Sequence, residues 1–285
     1  WRAGSPPFGA GSIGFDAAES GGSDLGHIVD HDWLRLGLWN ALLEPRGGEV
    51  HLLTGSSPAG LEAGPGATTV RLADGEALQT RLLVGADGAD SWVRAQLQLP
   101  TTERDYGQLA VVGHVSSERP HERTAWQCFT PGGPVALLPL ADGRSSIVWS
   151  CFAAEAREIV NLSDAEFGAR LTAATGHVLG NLRATTPRLA LPLAARHTHR
   201  YTGARFALIG DAAHQIHPLA GQGINLGLLD VAALAGTLAT HLLGTRLADP
   251  GDALVLRRYE RWRKGANLLT MAAMEGLHRV FTSDS

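Results

Sequence analysis

The chain has 285 residues, is 44% hydrophobic and 18% charged, and carries a formal net charge of −4, a composition with ample apolar material for one large or two modest globular domains. The negative balance argues against binding driven by phosphate neutralisation, two cysteines cannot build a disulfide framework or metal site, and no run of 18 consecutive apolar residues supports a membrane span. Glycine stands out at 35 residues, where about 20 are usual at ~7%; the excess sits in turns and in one cluster between Gly210 and Gly227.

Residues 1–24 are rich in Gly, Ser and Pro, with one extended candidate at 12–16, and lack the basic start and apolar core of a secretory leader. The chain opens on Trp1 and stops at Ser285 within a helical pattern, so both ends read as cut. The apolar residues Trp33, Leu34, Leu36, Leu38, Trp39, Leu42 and Leu43 predict a helix over 30–43 buried on one broad face, ended by Pro45 and Gly47-Gly48. Strands are predicted over 50–53, 68–72 and 81–85, with Asp74-Gly75 a hairpin signal. From 108 to 152 four strands follow (108–115, 124–129, 135–140, 145–152), with Asp142-Gly143 as a tight turn, which implies an antiparallel sheet. Ser163-Asp164-Ala165-Glu166 is a capping box opening a helix that Gly176 ends, and 188–193 is one more strand.

The last third returns to an α/β pattern. Phe206-Ala207-Leu208-Ile209-Gly210 is wholly apolar, as in a strand buried on both faces of a parallel sheet. Helices are predicted from about 222 to 243, over 252–264 and over 267–281. The order implies an α/β fold with an α+β insertion: a split Rossmann-like nucleotide-binding domain with an inserted, mostly antiparallel β-sheet domain. The expected boundaries are 1–100, with residues 1–25 free to join the sheet, then 101–195, 196–245, and C-terminal helices over 246–285.

The densest chemistry lies between Ile209 and Asp230. A buried strand ending in Gly210-Asp211 puts a carboxylate at the carboxyl edge of a sheet, where open α/β folds bind ligands. Gly221 and Gly223 let backbone approach a flat ligand, Pro218 fixes chain direction, and a helix starting near Gln222 aims its free amides and positive dipole end at that ligand. His214 and His217 fall in the same loop and are the weakest of these candidates, as proton-transfer groups without a carboxylate partner arranged for a triad. Ser91 lacks a nucleophile elbow. Cys128 and Cys151 read as buried small apolar residues. The basic run from Arg257 to Lys264 reads first as a solvated helix face, with contact to an anionic membrane surface as an alternative.

His217-Pro218-Leu219-Ala220-Gly221-Gln222-Gly223-Ile224-Asn225-Leu226-Gly227-Leu228-Leu229-Asp230 resembles the signature of the ubiquinone-biosynthesis hydroxylases, members of the FAD-dependent aromatic monooxygenases similar in fold to para-hydroxybenzoate hydroxylase. Gly85-Ala86-Asp87-Gly88-Ala89-Asp90-Ser91-Trp92-Val93-Arg94 resembles a second motif of that superfamily, and residues 30–39 resemble its flavin-facing helix, with His31 where Asn is common. The resemblance implies FAD contacts from Arg35, Asp87, Gly88, Arg94, Gly210, Asp211, Pro218, Gly221, Gln222, Gly223, Ile224 and Asn225. It implies NAD(P)H and O2 as co-substrates and hydroxylation of a lipophilic polyprenyl phenol, with Gln127, Phe129, Leu138 and Pro139 as guesses for the substrate wall. It further implies a cytoplasmic protein, peripheral at the inner membrane or in a ubiquinone-biosynthesis complex, with no nucleic-acid partner and no metal. The family's opening Gly-x-Gly-x-x-Gly unit has no counterpart: Gly9, Gly11 and Gly14 have the spacing, but no apolar strand precedes them and no helix follows. Two alternatives stay open, a related flavoenzyme performing epoxidation, halogenation or reduction, and a non-catalytic binding or scaffold protein unable to hold FAD.

Overall fold

The structure is a computed structural model and describes residues 1–9, 11–44, 50–216, 221–244 and 248–282, with side chains up to residue 276. In chain order the elements are α1 (His31–Leu43), β1 (Pro58–Ala63), β2 (Thr68–Leu72), β3 (Ala77–Thr80), β4 (Leu83–Gly85), α2 (Trp92–Gln96) and β5 (Thr101–Ser117). There follow β6 (Trp126–Thr130), β7 (Gly133–Pro139), β8 (Ser145–Phe152), α3 (Ala153–Asn161), α4 (Asp164–Ala174), β9 (Leu182–Ala184) and β10 (Leu189–Thr198). The last are β11 (Thr202–Gly203), β12 (Phe206–Leu208), β13 (His214–Gln215), α5 (Gly223–Gly244) and α6 (Ala253–Thr282). The helices and mainly antiparallel strands form two compact units: residues 1–52, 107–193 and 280–285, and residues 53–106 and 194–279.

In the first unit, β5, β8, β7 and β6 pair antiparallel in that order, with Val111 opposite Trp149 and Val135 opposite both Trp149 and Cys128. One sheet face carries Val111, Val115, Val135, Leu137, Ile147, Trp149 and Cys151, and α3 and α4 cover it with Ile159, Phe167 and Leu171, all 3% exposed or less. This is period-2 alternation meeting an amphipathic helix pair. The capping box forms in full: Ser163 Oγ accepts from the Glu166 amide while the Glu166 carboxylate accepts from the Ser163 amide. Glycine sets one contact, because a Cβ on Gly168 would lie 2.4 Å from the Leu182 carbonyl oxygen. Both cysteines are buried and free, and burial, with Glu155 nearby, pushes the Cys151 thiol up to about 12.

The second unit holds an antiparallel hairpin sheet, β1-β2-β3, and a smaller sheet in the order β11-β12-β4. Here β4 and β12 run parallel, with Leu83, Val84 and Gly85 opposite Phe206, Ala207 and Leu208. Both strands therefore end at the same edge. Leu208 is fully buried and packs so closely that a Cβ on Gly85 would lie 2.6 Å from its Cδ2. The core on this sheet comprises Val93, Tyr201, Ala207, Leu208, Ala233, Leu234, Leu256 and Tyr259.

Several expectations are corrected. Residues 50–53 form no strand and residues 58–63 do, antiparallel to β2. Residues 12–16 are not extended into a strand, and α3 is a second helix beside the expected one. The two expected C-terminal helices are one, because nothing between Lys264 and Asn267 interrupts the backbone ladder. Helix α1 forms, capped by Asp30, whose carboxylate accepts from the Asp32 and Trp33 amides, but none of its residues is buried; Trp33 is 73% exposed. Its apolar spacing encodes a face that nothing among the described residues covers. Finally, α5 is long and apolar enough to cross a membrane by length and hydropathy over Gly223–Leu243. Asp230 keeps this helix from being an unbroken apolar run, and that aspartate is buried and paired within the unit.

Candidate functional site

At the shared end of β4 and β12, two turns leave the sheet. The first contains Asp87 and Gly88. Asp87 Oδ2 accepts from the Val93 amide at 3.0 Å, Ser91 Oγ accepts from the Arg94 amide at 3.0 Å, and Gly88 has φ +82°, so this motif is first a device for starting α2. The second contains Gly210, at φ +59°, and Asp211, where the chain turns sharply out of β12.

A buried arginine ties the turns together. Arg94 donates from Nη1 to the Ala212 carbonyl at 2.9 Å and from Nη2 to the Ala89 carbonyl at 2.5 Å. Arg196 also donates to the Ala89 carbonyl and, from Nε, to Glu103 at 2.6 Å. The Ala213 carbonyl accepts from the Thr198 amide at 2.9 Å. Arg94 thus holds protein backbone on both turns with two of its donors.

Asp211 is the contrast. It is exposed, and among the described residues its carboxylate accepts no hydrogen bond. The protein packed behind it desolvates the carboxyl and pushes it above the ordinary carboxylate range, partly offset by His214. The start of α5 adds donors: the amides of Gly223, Ile224 and Asn225 lie in its first turn, with Ile224 50% exposed and the Asn225 side chain donating to Gln222 Oε1 at 3.4 Å. A Cβ on Gly88, Gly221 or Gly223 would meet no atom within 4 Å. Backbone at these glycines borders open space.

His214 has the partner that sequence reasoning did not find. Its Nε2 lies 2.5 Å from Asp230 Oδ2, both side chains buried. Asp230 also binds Arg263, at 2.7 Å from its Nε. Burial would raise this carboxyl, but the hydrogen bonds from His214, Arg263 and the Gly210 amide hold it below the usual range. The available signal was an aspartate inside an otherwise apolar helix, a residue that is rarely buried unless paired. The basic run on α6 is likewise divided: Arg257, Arg258, Arg261 and Trp262 are exposed, while Tyr259 and Arg263 are buried.

The structure brings Asp87, Gly88, Arg94, Gly210, Asp211, His214 and the 221–225 segment together in the second unit. His217 and Pro218 lie outside the described residues. Arg35 belongs to the first unit, on exposed α1, where it pairs with Asp32 at 3.3 Å. Of the substrate-wall guesses, also in the first unit, Gln127, Phe129 and Leu138 share the sheet face opposite the helix-covered core, while Pro139 alternates onto the face of Val135 and Leu137. A cleft of about 790 Å3 in this unit, lined in part by Trp149, Phe152, Glu155 and Arg170, includes none of them. Among the described residues no cluster of His, Cys, Asp or Glu is placed to hold a metal ion. Gly9, Gly11 and Gly14 lie outside any strand-to-helix turn.

The chain is 38% identical to ubiquinone hydroxylase UbiL of Rhodospirillum rubrum over 99% of its own length and 63% of the relative's. It is 34% identical to mitochondrial ubiquinone biosynthesis monooxygenase COQ6 of Mus musculus, over 92% of this chain and 63% of that one. With 3-demethoxyubiquinol 3-hydroxylase of Escherichia coli it shares 35% identity over 95% of this chain and 68% of that one. The chain therefore spans a little under two thirds of the length of the first two. Among solved structures it is similar to PqsL of Pseudomonas aeruginosa, a probable FAD-dependent monooxygenase, with TM-score 0.67 and 27% identity over 80% of this chain and 64% of that one. An HpxO variant of Klebsiella pneumoniae complexed with FAD shares the fold, with TM-score 0.64 and 21% identity over 81% of this chain and 60% of that one. Residues 55–266 match the family model described as FAD binding domain, and the chain belongs to that family.

Proposed function

We propose that the whole protein is an FAD-dependent monooxygenase that hydroxylates a polyprenyl phenol intermediate of ubiquinone biosynthesis, using NAD(P)H and O2. The observation that carries this is Asp211: a carboxylate that accepts no hydrogen bond among the described residues, at the shared end of two parallel strands, in a turn against which α5 packs through Gly227. The described residues fit the ribityl and flavin half of FAD. Asp211 would accept hydrogen bonds from ribityl hydroxyls, and the bare backbone at Gly221 and Gly223 would lie against the ring. The free amides at the start of α5 would face the ring's carbonyl edge and favour negative charge there. When bound, the flavin would supply the acceptance of hydride from NAD(P)H and the activation of O2 for transfer of one oxygen atom to an electron-rich ring.

The remaining residues position and exclude. Arg94 and Asp87 would fix the two turns against each other, and Gln127, Phe129 and Leu138 offer a mixed polar and apolar sheet face for an aromatic substrate. His214 hydrogen-bonds Asp230 in the interior, which suits it to holding structure better than to moving protons at a substrate. We place the protein at an anionic membrane surface as well, supported by exposed Arg257, Arg258, Arg261 and Trp262 on α6 and by the demethoxyubiquinol that names the Escherichia coli relative.

The test is purification of the whole protein. Flavin absorbance that co-purifies, and NAD(P)H-dependent incorporation of one O2 oxygen into a polyprenyl phenol, are the expected results. Asp211→Ala should release the flavin at concentrations where the parent retains it. Flavin occupancy unchanged in Asp211→Ala would overturn the assignment of the contact, and a parent that binds no flavin would overturn the function.

A further inference from the structure

Asp230 lies two turns into α5, is fully buried, and has both carboxylate oxygens saturated. Oδ2 accepts from the Gly210 amide at 3.0 Å and faces His214 Nε2 at 2.5 Å. Oδ1 accepts from Arg263 Nε at 2.7 Å and Asn267 Nδ2 at 3.3 Å, and Arg263 Nη2 donates to Asn267 Oδ1 at 2.8 Å. Four donors on one carboxylate exhaust its acceptor sites. Burying such a group is weak evidence for stability, since an apolar replacement of similar volume is often as stable. What an apolar side chain cannot do is orient the Gly210 amide.

That amide belongs to the turn that presents Asp211. Gly210 takes a left-handed backbone, and one helical turn before Asp230 the helix presses on it: a Cβ on Gly227 would lie 3.4 Å from the Gly210 Cα. The rest of the turn is held at Ala212 by Arg94 and at Ala213 by Thr198. These anchors flank Asp211, whose carboxylate accepts no hydrogen bond among the described residues.

We propose that Asp230 is a positioning residue of the cofactor site, its carboxylate locking the Gly210 turn to α5 so that Asp211 and the helix N-terminus meet one ligand in fixed relation. This rests on the flavin reading above. Asp230 touches neither substrate nor cofactor; it acts through Gly210 and His214. Asp230→Asn keeps the size and one acceptor oxygen but cannot accept from Arg263 and from the Gly210 amide together.

The experiment compares FAD affinity with folding in the whole protein. Apo-protein is titrated with FAD at 10 °C, with circular dichroism confirming that each variant is folded, and visible dichroism reports the flavin environment. Asp230→Asn is expected to weaken FAD binding tenfold or more and to change the flavin dichroism. Leu171→Ala, which opens the first unit's core, is expected to lower the unfolding temperature comparably and leave affinity within twofold of the parent. Should Asp230→Asn lose stability but keep its affinity, the residue is core packing and the proposal fails. If Asp230→Asn does not fold, His214→Gln, which keeps a donor toward Asp230, is expected to stay within threefold of the parent, and His214→Leu to fall tenfold. Equal affinities in that pair overturn the proposal. A parent that takes up no FAD overturns the flavin reading itself, a result distinct from any ranking of the variants.

Discussion

The two units hold their shape by different means. In the first, an apolar sheet face and two helices share a core in which Val111, Val135, Ile147, Ile159 and Phe167 are fully buried, so its stability comes from area and fit. In the second, the segment of interest is a polar turn fixed by Arg94, Asp230, His214 and Thr198, with glycines where backbones meet. The first arrangement tolerates exchange of one apolar residue for another. The second depends on particular atoms, and its contribution is precision at Asp211 more than bulk stability.

The sharpest way to break this contrast is Phe167→Ala. Phe167 is fully buried and lies under the Arg188 guanidinium, 4.7 Å from its ring centroid. Calorimetry should show a loss of about 3–5 kcal/mol, with FAD affinity of the folded protein unchanged. Arg94→Met is the counterpart in the second unit. It keeps a long stem but takes the Arg94 donor from the Ala212 carbonyl, while the Ala89 carbonyl keeps Arg196, a cost of about 2–3 kcal/mol. Here flavin affinity should fall with stability; if it does not, the turn needs no arginine. A smaller effect separates two helix glycines. Gly168→Ala should destabilise by about 1–3 kcal/mol because its Cβ meets the Leu182 carbonyl. Gly265→Ala, facing open space on α6, should stabilise by about 0.5–1 kcal/mol through helix propensity alone.

The same contrast explains what could be read from the sequence. Strands β2 and β8, the capping box at Ser163 and the Gly210-Asp211 strand end were legible because each is a local pattern: alternation, a four-residue cap, an apolar run ending in glycine. The roles of Asp230, Arg263 and Asn267 were not, because Asp230 bonds a turn twenty residues before it while Arg263 and Asn267 reach Asp230 from a second helix 33 and 37 positions later. Arg94 was legible as a motif residue, but its partner, the Ala212 carbonyl, lies 118 positions away. Helix α1 shows the opposite case: its apolar spacing foretold a helix correctly and its burial wrongly, since periodicity fixes a face but not what covers it.

A comparably small effect concerns pH. His197 on β10 lies in the second unit with its Nδ1 3.4 Å from the buried Tyr201 hydroxyl. Burial, with Lys264, His199 and His214 nearby, lowers its pKa from 6.5 to about 4. The unfolded chain therefore binds a proton near pH 6.5 that the folded chain refuses until about pH 4. Stability from this ring is fully present above pH 6.5 and declines as pH falls through that window. The ring is partly exposed, so solvent screening reduces the loss to about 1 kcal/mol by pH 4. His197→Gln retains an acceptor for the Tyr201 hydroxyl and removes the titration. Urea unfolding at pH 7, 6, 5 and 4 should show a shallower decline for the variant than for the parent, the difference growing below pH 6. Parallel curves would mean that His197 is protonated as readily in the folded protein as in the unfolded one, and that the polar interior of this unit is open enough to water to solvate a charge.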